Sequence, residues 1–254
     1  MNIIVSPHYD DAVLSLGNFI NILLLNGEQV LVINLFTDCP PNLEALSPVA
    51  QLYLREDTGK EEITVNDALA MSNVRKQEDR EALRLIGVKS IDINLYDAIY
   101  RGNPWYYPLE KDLFSGINDN ETSYYKDIIK LLNRKGLIKK ENTYYFPAGI
   151  GSHVDHIITL KVGLELMSFG YNCNFYQEFP YNYGSFEESN FDFSRLNFNQ
   201  RIIDVVSDKK SKAIMCYVSQ RQWLTKSLKE MNVSLWNYSE KIWTNIGGKY
   251  HAFK

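Results

Sequence analysis

Histidine is scarce in this 254-residue chain, and several common features are absent. There are only four histidines and three cysteines, and the cysteines have no metal-binding spacing, which is typical of reduced thiols in a cytoplasmic protein. No run of about 18 apolar residues exists to form a transmembrane helix. Lysine and arginine do not cluster, and the formal net charge is -4. A nucleic-acid-binding function is therefore excluded.

The rest of the composition is that of an ordinary globular protein. Hydrophobic residues make up 45% of the chain and charged residues 23%, which is enough to bury a sizeable core. The apolar start of the chain leads directly into polar residues at His8, without the basic region or cleavage site of a signal peptide. With no repeat or flexible linker, we expect a single domain over residues 1–254 in the cytoplasm. The sequence does not decide whether the chain forms a homo-oligomer.

The first forty residues have the pattern of a strand–helix–strand unit. Residues 2–5 and 29–36 are apolar runs, and residues 11–26 repeat apolar side chains at helical spacing. Such a unit implies parallel strands joined by a right-handed crossover. Further strands are predicted at 90–95, 143–146 and 173–176. We therefore predict an α/β fold: a Rossmann-like, mostly parallel sheet with helices on both faces and the active site at the carboxyl ends of the strands.

Two long segments are predicted as loops, and long loops in compact domains are usually functional. Residues 37–66 form the first, with one short helical piece. Residues 96–118 form the second, in which the aromatic run 105–107 either stacks on a sugar or fills the core of the loop. An amphipathic helix, continuous or broken in two, is predicted at 208–231.

A histidine and two adjacent aspartates follow the first predicted strand. Two neighbouring carboxylates, Asp10 and Asp11, repel each other unless a cation or hydrogen-bond donors hold them. The helix that begins here offers donors, so capping by either aspartate beside a solvated His8 is one interpretation. A metal site is the other.

A second polar motif, at residues 149–156, follows the strand predicted at 143–146. Its histidines, His153 and His156, are three residues apart and share one face of a helical turn. The glycines before them allow the backbone to approach a ligand closely. The alternative is that the histidines cap the helix and form local hydrogen bonds.

Both motifs lie at carboxyl ends of strands in one parallel sheet, so the fold can bring them together. Histidine and aspartate form a ligand set that suits zinc, and three protein ligands leave a fourth position open for catalysis. The remaining carboxylate and imidazole would supply the base and acid that hydrolysis needs. The residues themselves do not decide whether Asp10 or Asp11 is the ligand.

These motifs resemble those of the LmbE/PIG-L-like superfamily of zinc-dependent de-N-acetylases, usually written His-Pro-Asp-Asp-Glu and His-x-Asp-His. Similar segments continue along the chain at Arg75 and Glu78, and at 85–88, 97–101, 175–181 and 212–220. Two positions depart from the family pattern: Tyr9 stands where proline is usual and Ala12 where glutamate is usual. Neither position is a metal ligand in the family.

The resemblance implies a role for each residue of the two motifs. One Zn²⁺ per chain, or another divalent ion such as Fe²⁺, would be held by His8, Asp11 and His156. Asp10 would be the general base, and His153 would stabilise the oxyanion or protonate the leaving amine. Asp155 would orient an imidazole, that of His153.

Four further residues are expected to contact the substrate: Arg75, Asp97, Tyr100 and Arg101. For Arg75, an ordinary helix salt bridge with Glu78 or Asp79 is an equal alternative.

The function that these features predict is zinc-dependent hydrolysis of the N-acetyl amide of an amino sugar or a glycosylated small molecule. The products would be acetate and a free amine. Hydrolysis of a non-sugar amide and non-catalytic binding of a sugar or metal remain alternatives. A phosphoesterase usually needs a second metal and more ligands than this chain offers. A dinucleotide-binding oxidoreductase is excluded because the turn after the first strand has no glycine-rich fingerprint.

Overall fold

The computed structural model describes residues 1–41, 44–181, 198–204, 207–230, 234 and 238–245. Seven strands form one sheet in the order β3-β2-β1-β4-β5-β7-β6. The strands are β1 (Asn2–Ser6), β2 (Val30–Asp38), β3 (Lys89–Tyr96), β4 (Thr143–Pro147), β5 (Asn172–Tyr176), β6 (Phe198–Ile203) and β7 (Glu240–Asn245). The helices are α1 (Asp11–Leu25), α2 (Pro48–Thr58), α3 (Val65–Ile86), α4 (Tyr124–Arg134), α5 (Val154–Ser168), α6 (Asp208–Ile214) and α7 (Val218–Glu230).

Strand β1 is the centre of the parallel part of the sheet. It pairs in parallel with β2 on one side and with β4 on the other, and β3 and β5 extend the parallel arrangement outwards. All five residues of β1 are buried. Alternate side chains point to opposite faces, so Ile3 and Val5 enter one core while Ile4 enters the other.

Helices cover both faces of the sheet, as the sequence predicts. Helices α4 and α5 pack on the core that contains Val5, whereas α1 and α6 pack on the core that contains Ile4. Helix α3 begins with a capping box between Thr64 and Asp67 and ends at Gly87, whose φ is +95°. None of the helices that the structure describes is long and apolar enough to cross a membrane.

The sheet extends beyond the strands that the sequence predicts. The antiparallel strand β7 pairs with β5, and β6 pairs with β7. The late amphipathic segment is broken in two, as α6 and α7, which is one of the two forms expected from its sequence. The carboxylate of Glu240, in β7, accepts hydrogen bonds from the backbone of Asn18 and Phe19 in α1 and pairs with Lys210 of α6. This buried group joins the antiparallel strands to the helices of one face.

Candidate metal centre and substrate cleft

The turn between β1 and α1 is fixed by its own hydrogen bonds. The Ser6 hydroxyl donates to the carbonyl of His8 (2.6 Å) and accepts from the Ala12 N–H (3.0 Å). The Asp11 carboxylate accepts from the backbone N–H of His8 (2.9 Å). These bonds hold the side chains of His8 and Asp11 next to each other at the carboxyl end of β1. Ala12 is fully buried in the core rather than at the cleft.

The turn between β4 and α5 depends on glycine. Gly149 and Gly151 have φ values of +76° and +81°, which favour glycine over other residues. A Cβ on Gly151 would lie 2.7 Å from a ring carbon of Tyr181. His153 occupies the N-cap of α5, and His156 lies within the first turn of that helix. The turn therefore brings both histidines towards the neighbouring strand end.

Three side chains from the two turns converge with the spacing of metal ligands. Asp11 Oδ2 lies 3.3 Å from His8 Nδ1 and 3.4 Å from His156 Nε2. Two atoms bound about 2.0–2.1 Å from a tetrahedral zinc ion lie roughly 3.3–3.4 Å apart. Among the residues that the structure describes, His156 Nε2 is fully buried and has no hydrogen-bond partner. The donor set, its spacing and this orphaned nitrogen all fit a zinc ion.

A buried carboxylate lies behind each of the two histidines. Asp155 Oδ2 is 3.1 Å from His8 Nε2, and Glu178 Oε1 is 3.3 Å from His156 Nδ1. Glu178 also accepts from the backbone N–H of Ala148 and Gly149. A carboxylate on the far nitrogen fixes the tautomer and orientation of a metal-ligating histidine. Glu178 is not among the site residues expected from the sequence, although its place directly after β5 matches that of the two motifs.

Asp155 contacts a different imidazole from the one expected. Its carboxylate meets His8, whereas only its backbone N–H reaches the His153 Nδ1 (3.3 Å). The ring of His153 also packs edge-on against Phe114 and His156. Burial lowers the pKa of His153 well below its ordinary value, and the nearby His8 adds to this shift. Because Nδ1 accepts a hydrogen bond, the neutral ring carries its proton on Nε2.

Asp10 lies at the N-cap position of α1, but its carboxylate caps none of the N–H groups of the helix. This observation weighs against the interpretation of Asp10 as a cap. Burial raises the pKa of Asp10 to about 6, and the adjacent charge of Asp11 contributes to the increase. A carboxyl group with such a pKa is suited to accept a proton near neutral pH.

A cleft opens beside Asp10 and His8. Three of the four residues expected to contact the substrate line it: Arg75, Asp97 and Tyr100. The fourth, Arg101, does not. Its side chain is 6% exposed and forms an ion pair with Asp155, so it lies behind the metal centre. The other residues lining the cleft include Tyr9, Phe36, Thr37, Asp38, Met71, Ser72, Glu78, Tyr217 and Gln220.

The guanidinium of Arg75 is held at the edge of this cleft. Its ion-pair partner is Asp57 of α2, rather than the expected Glu78 or Asp79 on its own helix. The amide of Gln220, with its oxygen towards the guanidinium, accepts from Arg75 Nε and Nη2 at 3.0 and 2.9 Å. With 27% of its side chain exposed, Arg75 can both form this pair and reach a ligand.

Comparisons with known proteins identify the family of the chain and several deacetylases of similar fold. Residues 3–167 match the family model of PIG-L, GlcNAc-PI de-N-acetylase. The chain is 39% identical over 184 residues to 2'-N-acetylparomamine deacetylase from Niallia circulans, an alignment that covers 70% of this chain and 66% of that protein. The fold is that of known deacetylases. The A40926 pseudoaglycone deacetylase Dbv21 superposes with a TM-score of 0.66 at 22% identity, with 96% of each chain covered. The zinc-inhibited form of the teicoplanin deacetylase Orf2 gives a TM-score of 0.66 at 23% identity, with 95% of this chain and 96% of that chain covered.

The family match and the parallel sheet thus identify a hydrolase of the de-N-acetylase class with an α/β fold. The chain belongs to the PIG-L (LmbE-like) de-N-acetylase family, whose members are metal-dependent N-deacetylases.

Proposed function

We propose that the protein removes the N-acetyl group from an amino sugar carried by a glycosylated small molecule, with one zinc ion bound by His8, Asp11 and His156. The convergence of these three ligands carries the proposal, because their separations of 3.3 and 3.4 Å match those around a tetrahedral ion. The relative from Niallia circulans is named for an acetylated amino sugar of this kind, which favours a similar substrate here.

Asp10 and His153 each have a chemical task in this reaction. When bound, zinc supplies Lewis acidity, which polarises an amide carbonyl and makes water a better nucleophile. Asp10 accepts the proton of the water that attacks the carbonyl carbon. His153 donates its Nε2–H to the developing oxyanion, an interaction typically worth about 3–4 kcal/mol. The C–N bond then breaks, the proton held by Asp10 passes to the leaving nitrogen, and acetate and a free amine are released.

The lowered pKa of His153 favours one of the two roles expected for this residue. The family resemblance leaves open whether this residue stabilises the oxyanion or protonates the amine. Burial favours an uncharged ring, and its Nδ1 accepts the backbone N–H of Asp155. An uncharged ring with a proton on Nε2 is a hydrogen-bond donor rather than a strong acid. We therefore assign oxyanion stabilisation to His153 and proton transfer to Asp10.

The test is acetate release from a panel of N-acetylated substrates, with and without a chelator. The panel contains N-acetylglucosamine, 2'-N-acetylparomamine and a simple non-sugar acetamide. We expect release from an amino sugar, loss of activity in the chelator, and recovery when zinc or ferrous iron is restored. Release that persists after complete metal removal would contradict metal dependence. A preference for the non-sugar amide would contradict the proposed substrate class.

A further inference from the structure

Asp155 connects the metal centre to a buried charge network behind it. The residue is fully buried, and each carboxylate oxygen has a defined partner. Oδ2 lies 3.1 Å from His8 Nε2 and accepts from the backbone N–H of Ala98 (3.1 Å). Oδ1 accepts from Arg101 Nη1 at 2.6 Å. Rotation of this carboxylate would break at least two of these contacts, so its orientation, and that of the His8 ring, depends on Arg101.

Arg101 is enclosed by aromatic rings and acceptors. Its guanidinium carbon lies 5.1 Å from the ring centre of Phe36, 5.5 Å from that of Tyr107 and 5.7 Å from that of Tyr124. Besides Asp155, it pairs with Glu121, which lies 2.6 Å from Nε and 3.0 Å from Nη2. An ammonium group could not span two carboxylates in this way, whereas the planar guanidinium does.

Glu121 is fixed in turn by the aromatic loop, the segment 96–118 that carries the aromatic run 105–107. It belongs to a short 3-10 segment, Asp119–Glu121, and accepts from the hydroxyl of Tyr107 at 2.8 Å. The same hydroxyl accepts from the backbone N–H of Asn118. Tyr107 is 2% exposed, which favours the interpretation that this tyrosine fills the core of the loop rather than stacking on a sugar. Glu121, Arg101 and Asp155 thus form a continuous path from the loop to His8.

We propose that Arg101 and Glu121 are positioning residues that hold the carboxylate of Asp155 against His8 Nε2, so that His8 Nδ1 faces Asp11 and the metal position. A neutral imidazole can offer a lone pair from Nδ1 only if Nε2 carries the proton, and an acceptor at Nε2 selects that tautomer. The inference rests on the proposed metal site. It replaces the expected contact of Arg101 with the substrate by a role behind the metal centre.

The test compares Arg101→Lys and Glu121→Gln with the wild-type protein, and uses Arg84→Lys as a matched control. Arg84 forms an exposed ion pair with Glu81 on α3, so its replacement reports the general effect of an arginine-to-lysine change. For each variant, the zinc affinity is measured by competition with a chromophoric chelator, and kcat and KM are measured at saturating zinc. The tautomer of His8 is followed by ¹⁵N NMR of the histidine side chains.

Arg101→Lys should lower zinc affinity about 10- to 100-fold, reduce kcat, leave KM within about twofold, and weaken the Nε2–H signal of His8. Glu121→Gln should show the same changes to a smaller extent, and it provides the test if Arg101→Lys does not fold. Wild-type zinc affinity in folded variants would overturn the proposal and leave a purely structural role. A raised KM with unchanged kcat and zinc affinity would overturn it in favour of substrate contact. A wild-type protein that binds zinc but releases no acetate would refute the proposed function, while the zinc affinities would still decide this inference.

Discussion

Replacing Asp79 with asparagine should change how the stability of the protein depends on pH. Asp79 lies on α3 and is 1% exposed. Its carboxylate accepts hydrogen bonds from Asn34 (2.9 Å) and from the Tyr217 hydroxyl (2.8 Å). Burial nevertheless raises the pKa of Asp79 to about 8, and the negative charges of Asp92 and Asp10 add to the increase. Two hydrogen bonds do not replace the hydration that the carboxylate loses on folding.

The sign of the effect follows from the direction of this pKa change. The folded state binds the proton of Asp79 more tightly than the unfolded state, where the pKa is about 3.9. The resulting contribution to stability is complete below about pH 4 and is lost as the pH rises through 8. Each pH unit between the unfolded and the folded pKa changes the free energy of unfolding by about 1.4 kcal/mol. The full loss of stability is therefore on the order of 5 kcal/mol. A side chain that cannot ionise avoids this loss.

Asparagine can occupy the site without a new unpaired group. Its oxygen would accept from Asn34, and its nitrogen would donate to the hydroxyl of Tyr217, which can turn its own proton to the carbonyl of Tyr9, 3.3 Å away. The assay is urea unfolding of metal-free wild-type and Asp79→Asn proteins between pH 4 and 9. The stability of the variant relative to wild type should increase up to about pH 8 and then level off. A flat difference, or one of opposite slope, would refute the reasoning. Asp127→Asn, on the exposed face of α4, is the control and should show little change.

Three further substitutions test the site. Asp10→Asn should lower kcat about 10²- to 10⁴-fold, because the general base is lost, while the zinc content stays at one ion per chain; unchanged turnover would remove Asp10 from the mechanism. Glu178→Gln should weaken zinc binding about 10- to 100-fold in calorimetric titration, and an unchanged affinity would show that this carboxylate does not support its histidine. Gly151→Ala should destabilise the fold by about 1–3 kcal/mol in urea unfolding, because the added Cβ would lie 2.7 Å from Tyr181. Gly59→Ala, at a φ of +69° with open space around it, measures the backbone strain alone, so an equal loss in both variants would exclude a steric effect.

The parallel part of the fold and the meeting of the two motifs could be predicted from the sequence, because both follow from local patterns. Residues 2–5 and 143–146 are short, largely apolar runs that end at Ser6 and at Pro147, just before the two polar motifs. The carboxyl ends of parallel strands meet at one edge of a sheet. The structure confirms this sheet, with β1 paired to β4. The single domain and the chemical roles of the site residues stay predictions.

Contacts that depend on side-chain direction could not be predicted in the same way. The Asp155 carboxylate points at His8, a residue 147 positions away, whereas the family resemblance implied His153. Arg101 is next to a residue that lines the cleft, Tyr100, yet it points away from the cleft towards Glu121. Successive residues of an extended or irregular segment can face opposite sides. A motif therefore locates a segment at the site without fixing which of its side chains face the ligand.

The two histidines of the metal centre are held by carboxylates that are anchored by different parts of the fold. Glu178 is anchored by the backbone N–H groups of Ala148 and Gly149, so its position follows from the conformation of the glycine-containing turn after β4. Asp155 is anchored by Arg101, and thereby by the aromatic loop. Changes in the aromatic loop should therefore alter the His8 side of the site and leave the side that contains Glu178 intact. Because the same loop carries Tyr100 into the cleft, the surface that meets a substrate and one of the supports of the metal centre cannot vary independently.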